Sequence, residues 1–192
     1  MPNQWLKRIR ETGQLTVFNK ATAWAVPIAA AIKSFNNLSL GVKVVAEKAE
    51  KAANIVLVLA NGPGEKYTYY GDTTQTAADF TGDILHGETR TLVDQKRNEI
   101  FFAAVFLPGK LKKVTNGQKE VVIIHELIHA AGLNDWHDSV GIMFATMKEE
   151  HGGLIEYLHD EGAKPMPPIR VGSQTLCKMK MLWTGTKDCK DD

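Results

Sequence analysis

Val121-Val122-Ile123-Ile124-His125-Glu126-Leu127-Ile128-His129-Ala130-Ala131-Gly132 is the stretch that decides how the chain is read. Apolar residues stand on both sides of the two histidines, which marks a buried helix rather than a surface one. Such a helix does not carry two imidazoles and a carboxylate unless something pairs with them, because an unpaired buried polar group costs about 1–3 kcal/mol. His125 and His129 are one helical turn apart, so both rings leave the same face and can share one ion. Zinc accepts neutral imidazole nitrogen. Glu126 completes the His-Glu-x-x-His spacing, which places a carboxylate where it can take a proton from a water activated by the metal. The five-residue pattern also arises by chance. Its apolar setting argues against two ordinary core histidines and a surface glutamate.

The flanks support a helix here. Thr115 and Gln118 have capping-box spacing, and Gly132 stands where a left-handed helix stop belongs, so the helix is read from the Thr115 cap to about Ala131. Upstream, Leu15 to Asn19 reads as a short strand. Val26 to Asn36 reads as a helix with Pro27 in its first turn and Ile28, Ala31, Ile32 and Phe35 at helical spacing. Val42 to Ala46 and Ile55 to Leu59 read as strands, the second apolar enough to be buried on both faces. The Thr-, Asp- and Gly-rich stretch from Gly71 to Gly82 reads as a surface loop. Ile84 to Val93 and Glu99 to Leu107 read as two more strands, and Lys148 to His159 as a further helix. The expected order is β-α-β-β-β-β-α-α in one domain, residues 1–164, followed by an irregular C-terminal appendage, residues 165–192.

Two histidines leave a catalytic zinc site incomplete, because such sites usually hold three protein ligands and keep one position open. Asp135, His137, Asp138 and Glu149 all follow the motif closely enough to supply the third. The run from His125 to Asp135 resembles the extended zinc signature HExxHxxGxxH of the metzincins, with Asp135 in place of the last histidine, as in the snapalysin-like bacterial members. The resemblance implies that Gly132 lets the chain turn under the metal and that Asp135 is the third ligand. His137 takes that role if the loop is longer than the family pattern. It also implies that Met143, in Gly141-Ile142-Met143-Phe144, belongs to a Met-turn and is structural.

The implied fold is α+β of the zincin type: a mixed, mainly parallel sheet of about five strands packed on a long helix, the zinc helix, and a C-terminal helix. The stretch Gly82 to Gly87 looks like the edge strand that metzincins lay beside an extended substrate. His86, within it, is read as a strand histidine rather than a second zinc ligand. No tyrosine closely follows Met143, and no cysteine precedes the zinc helix. The resemblance allows calcium, but no calcium loop is visible.

Composition narrows the remaining classes. A chain of 192 residues with 44% hydrophobic and 23% charged content can bury one real core. A net charge of +1 gives no field that argues for nucleic acid or an anionic membrane as partner. The N-terminal residues carry no secretory h-region, and no apolar run reaches the roughly 20 residues of a membrane span. The expectation is therefore a soluble monomer, intracellular or exported by another route. Cys177 and Cys189 leave a tail disulfide and two thiols both open. The function expected is a zinc endopeptidase acting on peptides or proteins, with Glu126 as general base. Two rivals are a gluzincin-like site with Glu149 as third ligand and a non-catalytic zinc-binding module. The free carboxylate of Glu126 disfavours the second.

Overall fold

The computed structural model describes residues 3–69, 73–76 (backbone only), 85–111, 114–134, 136–138, 141–143 and 168–186. In chain order the elements are β1 (Gln4–Trp5), α1 (Lys7–Arg10), β2 (Gln14–Asn19), α2 (Ala25–Asn37), β3 (Lys43–Ala46) and β4 (Ile55–Ala60). They continue as β5 (Lys66–Tyr69), β6 (Thr73–Thr76), β7 (Glu88–Asp94), β8 (Glu99–Pro108), α3 (Asn116–Ala130) and α4 (Ser173–Thr184).

The apolar runs of β4 and β8 make the centre of the main sheet. β4 pairs in parallel with both β2 and β8, and β2 pairs in parallel with β3. β1 and β4 take successive stretches of β8, opposite residues 99–100 and 103–108. β7 runs antiparallel along the same length of β8, from Glu99 to Phe106, and so occupies its other side as an outer strand. The fold is thus α+β with a mainly parallel sheet, as expected. The two-residue β1 and the antiparallel β7 bring the sheet to six strands.

Side chains alternate across a strand, and here the alternation divides the core in two. Ile55, Leu57, Ala103, Val105 and Leu107 join the residues of α2 and α3 on one face. Val56, Val58, Ala60, Phe102, Ala104 and Phe106 point to the other face, where the β5–β6 hairpin supplies Tyr67 and Tyr69. Tyr67 stacks on Phe102 with centroids 5.8 Å apart, and Tyr69 lies 4.2 Å from the same ring.

Several expectations need correction. β6 lies within the stretch read as a surface loop; threonine is β-branched and suits a strand, so the Thr run there is a strand signal rather than a loop signal. The edge strand begins at Glu88, so His86 precedes it. The tail is not wholly irregular. α4 starts after Gly172 and ends at Gly185, which is left-handed at φ 70°, and it buries Met179, Leu182 and Trp183. The spacing of those three is helical, but the preceding Pro165-Met166-Pro167-Pro168 drew the reading toward irregular chain. The helix expected over Lys148 to His159 lies outside the described residues, as does Cys189. Cys177 is disulfide-bonded. No helix among the described residues is long and apolar enough to cross a membrane.

The expected capping box closes the start of α3: Thr115 Oγ1 accepts from Gln118 N–H at 3.2 Å, and Gln118 Oε1 accepts from Thr115 N–H at 3.0 Å. The other end leaves carbonyls that the helix cannot use. Gly132 N–H donates to His129 O at 3.0 Å and Leu133 N–H to Ile128 O at 3.5 Å, the pair of bonds of a Schellman stop. Ala130 O accepts from the Trp5 indole at 2.9 Å and Ala131 O from the Trp183 indole at 3.0 Å. β1 and α4 therefore both close on the last turn of α3.

Gly132 sits between them at φ 124°. A Cβ there would lie 2.9 Å from Asn3 O and 3.2 Å from Leu182 Cδ1. Gly132→Ala therefore meets both backbone strain and a backbone clash, and its expected cost is roughly 1–3 kcal/mol. A urea unfolding midpoint equal to that of the parent protein would contradict this account of the helix stop.

Candidate metal centre

Helical spacing puts His125 and His129 on one face of α3, and both are buried, at 6% exposure each. Each ring is fixed by a backbone carbonyl from chain beyond the helix. His125 Nδ1 lies 2.7 Å from Ile142 O, and His129 Nδ1 lies 2.7 Å from Leu133 O. A carbonyl only accepts, so each Nδ1 carries a proton, and in a neutral ring Nε2 is then the nitrogen with the lone pair. The two Nε2 atoms face each other at 3.0 Å. Two lone pairs at that distance repel unless a cation or a proton lies between them.

On His125 a proton is disfavoured at neutral pH. Burial, with repulsion from His129, lowers the pKa of His125 from its ordinary 6.5 to about 4, against the pull of Glu126. A metal ion fits better. Zinc–nitrogen bonds of roughly 2.0–2.1 Å at tetrahedral angles set two ligand nitrogens about 3.3–3.4 Å apart, within a few tenths of an ångström of the observed pair. His137, which is exposed, joins them: one ligand atom from each of His125, His129 and His137 lies within 4.8 Å of the others. The His137 ring centroid is 4.9 Å from that of His129 and 5.6 Å from that of His125.

The segment bearing His137 is held from below. Asp138 N–H donates to Met143 O at 2.9 Å, and Ile142 N–H donates to Arg170 O at 2.9 Å. Met143 is fully buried. Gly141, at φ 73°, bridges to Val171. The Asp138 carboxylate is buried and accepts from Thr175 N–H at 3.0 Å and Thr175 Oγ1 at 2.7 Å. It thereby caps the first turn of α4, an end that has no side-chain cap of its own.

Of the four residues read as third-ligand candidates, the structure brings His137 to the pair and turns Asp138 to α4. Asp135 and Glu149 lie outside the described residues, as do Gly82 to Ile84 of the expected edge strand.

Glu126 is buried at 4% exposure, and Thr89 Oγ1 donates to its Oε2 at 2.7 Å. Burial pushes the Glu126 carboxyl up, while His125 and the Thr89 hydroxyl pull it back. A cation held by the adjacent histidines would pull it further in the same direction. Sequence reading had no means of finding Thr89, because its partner is 37 residues away on another element.

The shift at His125 has a consequence for stability. The unfolded chain takes up this proton near pH 6.5, and the folded chain refuses it until about 4. In chelator-treated protein the contribution of this group is intact above pH 6.5 and is lost as pH falls from 6.5 to about 4. The urea midpoint should decline across that window, and His125→Gln, which lacks the titrating ring, should flatten the decline. An unaltered slope in the variant would assign the effect to other groups.

No family model matches the sequence, and no curated protein matches it. Among solved structures the chain is similar to high choriolytic enzyme 1, a hatching enzyme zinc-protease from Oryzias latipes (medaka fish). The identity is 13%, 94% of each chain is covered, and the TM-score is 0.46.

Proposed function

We propose that this chain is a zinc-dependent endopeptidase, with His125, His129 and His137 as metal ligands and Glu126 as general base. The observation that supports it most is the pair of bare Nε2 atoms facing each other at 3.0 Å beside a buried carboxylate. A purely structural zinc site is closed by four protein ligands. Three histidines with an acid alongside match a site that keeps one position for chemistry. Bound there, zinc polarises a carbonyl and lowers the pKa of water to about 7.

The chain's own residues supply the rest of the mechanism. Ile142 O and Leu133 O fix the tautomer of the two buried rings, so that Nε2 is available without a proton being displaced. Glu126 takes the proton of the attacking water on its carboxylate and passes it to the leaving amine. Strand β7, on the outer side of β8, offers backbone groups along which an extended peptide can pair. Met143, buried in the turn whose carbonyls hold the His125 ring and the Asp138 N–H, serves as the Met-turn residue and touches no metal in this reading.

Glu126→Gln should keep one zinc per chain and lose roughly 10²–10⁴-fold in turnover of an unfolded protein substrate. Full turnover in that variant would remove Glu126 from the mechanism. His137→Ala and Asp135→Ala separate the two third-ligand assignments by metal content: His137→Ala should lose zinc, and loss only in Asp135→Ala would return the role to Asp135.

A further inference from the structure

Glu126 lies in a seat made by Thr89 of the outer strand and by Gly87 just before it. Thr89 Oγ1 is 2.7 Å from Glu126 Oε2 and 3.1 Å from Glu126 O, so one hydroxyl spans the backbone and the carboxylate of the same residue. Gly87, two residues earlier, keeps the other side open. A Cβ at Gly87 would lie 2.4 Å from Glu126 Cγ and 2.8 Å from Glu126 Cδ, so the Glu126 side chain would have to shift. Strand β7 and helix α3 are thus tied together at this glutamate. On the same face of β7, Thr91 Oγ1 accepts from Asn134 Nδ2, beyond the end of α3, at 2.9 Å.

A glutamate side chain has three rotatable bonds, and fixing them costs up to about 2 kcal/mol of rotamer entropy. A group that must accept a proton at one point gains when its orientation is set in advance. From these contacts we infer that Thr89 is the positioning residue for Glu126, aiming its carboxylate through Oε2 while Gly87 leaves the space the side chain occupies. The inference rests on the peptidase reading above. Thr89 touches neither metal nor substrate in this account; it acts through Glu126. One consequence is that the strand along which a peptide would lie also sets the acid–base group, so displacing β7 would disturb both.

The test uses the zinc-loaded full chain and an unfolded protein substrate. Thr89→Val keeps the shape and removes the donor. Its kcat should fall about 10–100-fold, with KM within twofold and with zinc content and melting temperature close to those of the parent. Thr89→Ser should restore most of kcat. Gly87→Ala should lose kcat while retaining zinc. A crystal structure of Thr89→Val should show the Glu126 carboxylate turned from its parental orientation.

If the parent cleaves and Thr89→Val cleaves equally well, the inference is overturned while the peptidase reading stands. Failure of Thr89→Ser to rescue would equally overturn it, because the loss would then not be that of the hydroxyl. If the parent itself cleaves nothing, the peptidase reading falls, and the orientation of Glu126 in the crystal of Thr89→Val decides the positioning claim alone: an unmoved carboxylate overturns it.

Discussion

The structure turns on two short hydrogen bonds, from the Nδ1–H groups of His125 and His129 to the carbonyls of Ile142 and Leu133. Buried imidazoles need partners for their N–H groups. With those partners carbonyls, the opposite nitrogens of the neutral rings hold the lone pairs, and on α3 they lie 3.0 Å apart. The carbonyls come from chain beyond the helix, so that chain must double back beneath it. Gly132 permits the first turn with its positive φ, and the turn at Gly141 to Met143 supplies the second carbonyl. The placement of His137 follows, because Asp138 beside it is anchored to Met143 O on one side and to Thr175 on the other.

The same requirement explains why β1 and α4 are both folded against the end of α3. A helix that ends in the core leaves carbonyls in a dry environment, where unpaired acceptors are costly. Trp5 from β1 and Trp183 from α4 supply indole N–H groups to the last two of them and bury large apolar rings at the same time. The C-terminal helix therefore has two tasks: it closes the end of α3 through Trp183 and holds the His137 segment through Thr175. The outer strand reaches α3 through Thr89. The two histidines and Glu126 are in this way held by unrelated parts of the chain.

What was legible in the sequence was local. The capping box of Thr115 and Gln118, the helical periodicity of Ile28, Ala31 and Phe35, and the apolar run of β4 each carry their signal within a few residues. The His125–His129 pair is of the same kind, since helix geometry alone puts the rings together. What was not legible depended on distance or on reading residue type too simply. β1 is two residues long and owes its place to pairing with β8 and to the Trp5 contact with Ala130. The β5–β6 hairpin is visible in retrospect in the alternation around Tyr67 and in its β-branched threonines. Spacing does not choose between Asp135 and His137 as a third-ligand candidate, because they stand only two residues apart beyond the helix, where no fixed rise per residue decides between them.

The central claim is that a metal ion lies between the Nε2 atoms of His125 and His129 with His137 as its third protein ligand. Anomalous diffraction from crystals of the zinc-loaded protein, recorded on either side of the zinc absorption edge, tests it most directly. The account predicts one strong peak per chain, bonded to those two nitrogens and to His137 at roughly 2.0–2.1 Å. A chain with no peak between the two rings, or with the ion bound by His125 and His129 while His137 stands clear of it, would contradict the account.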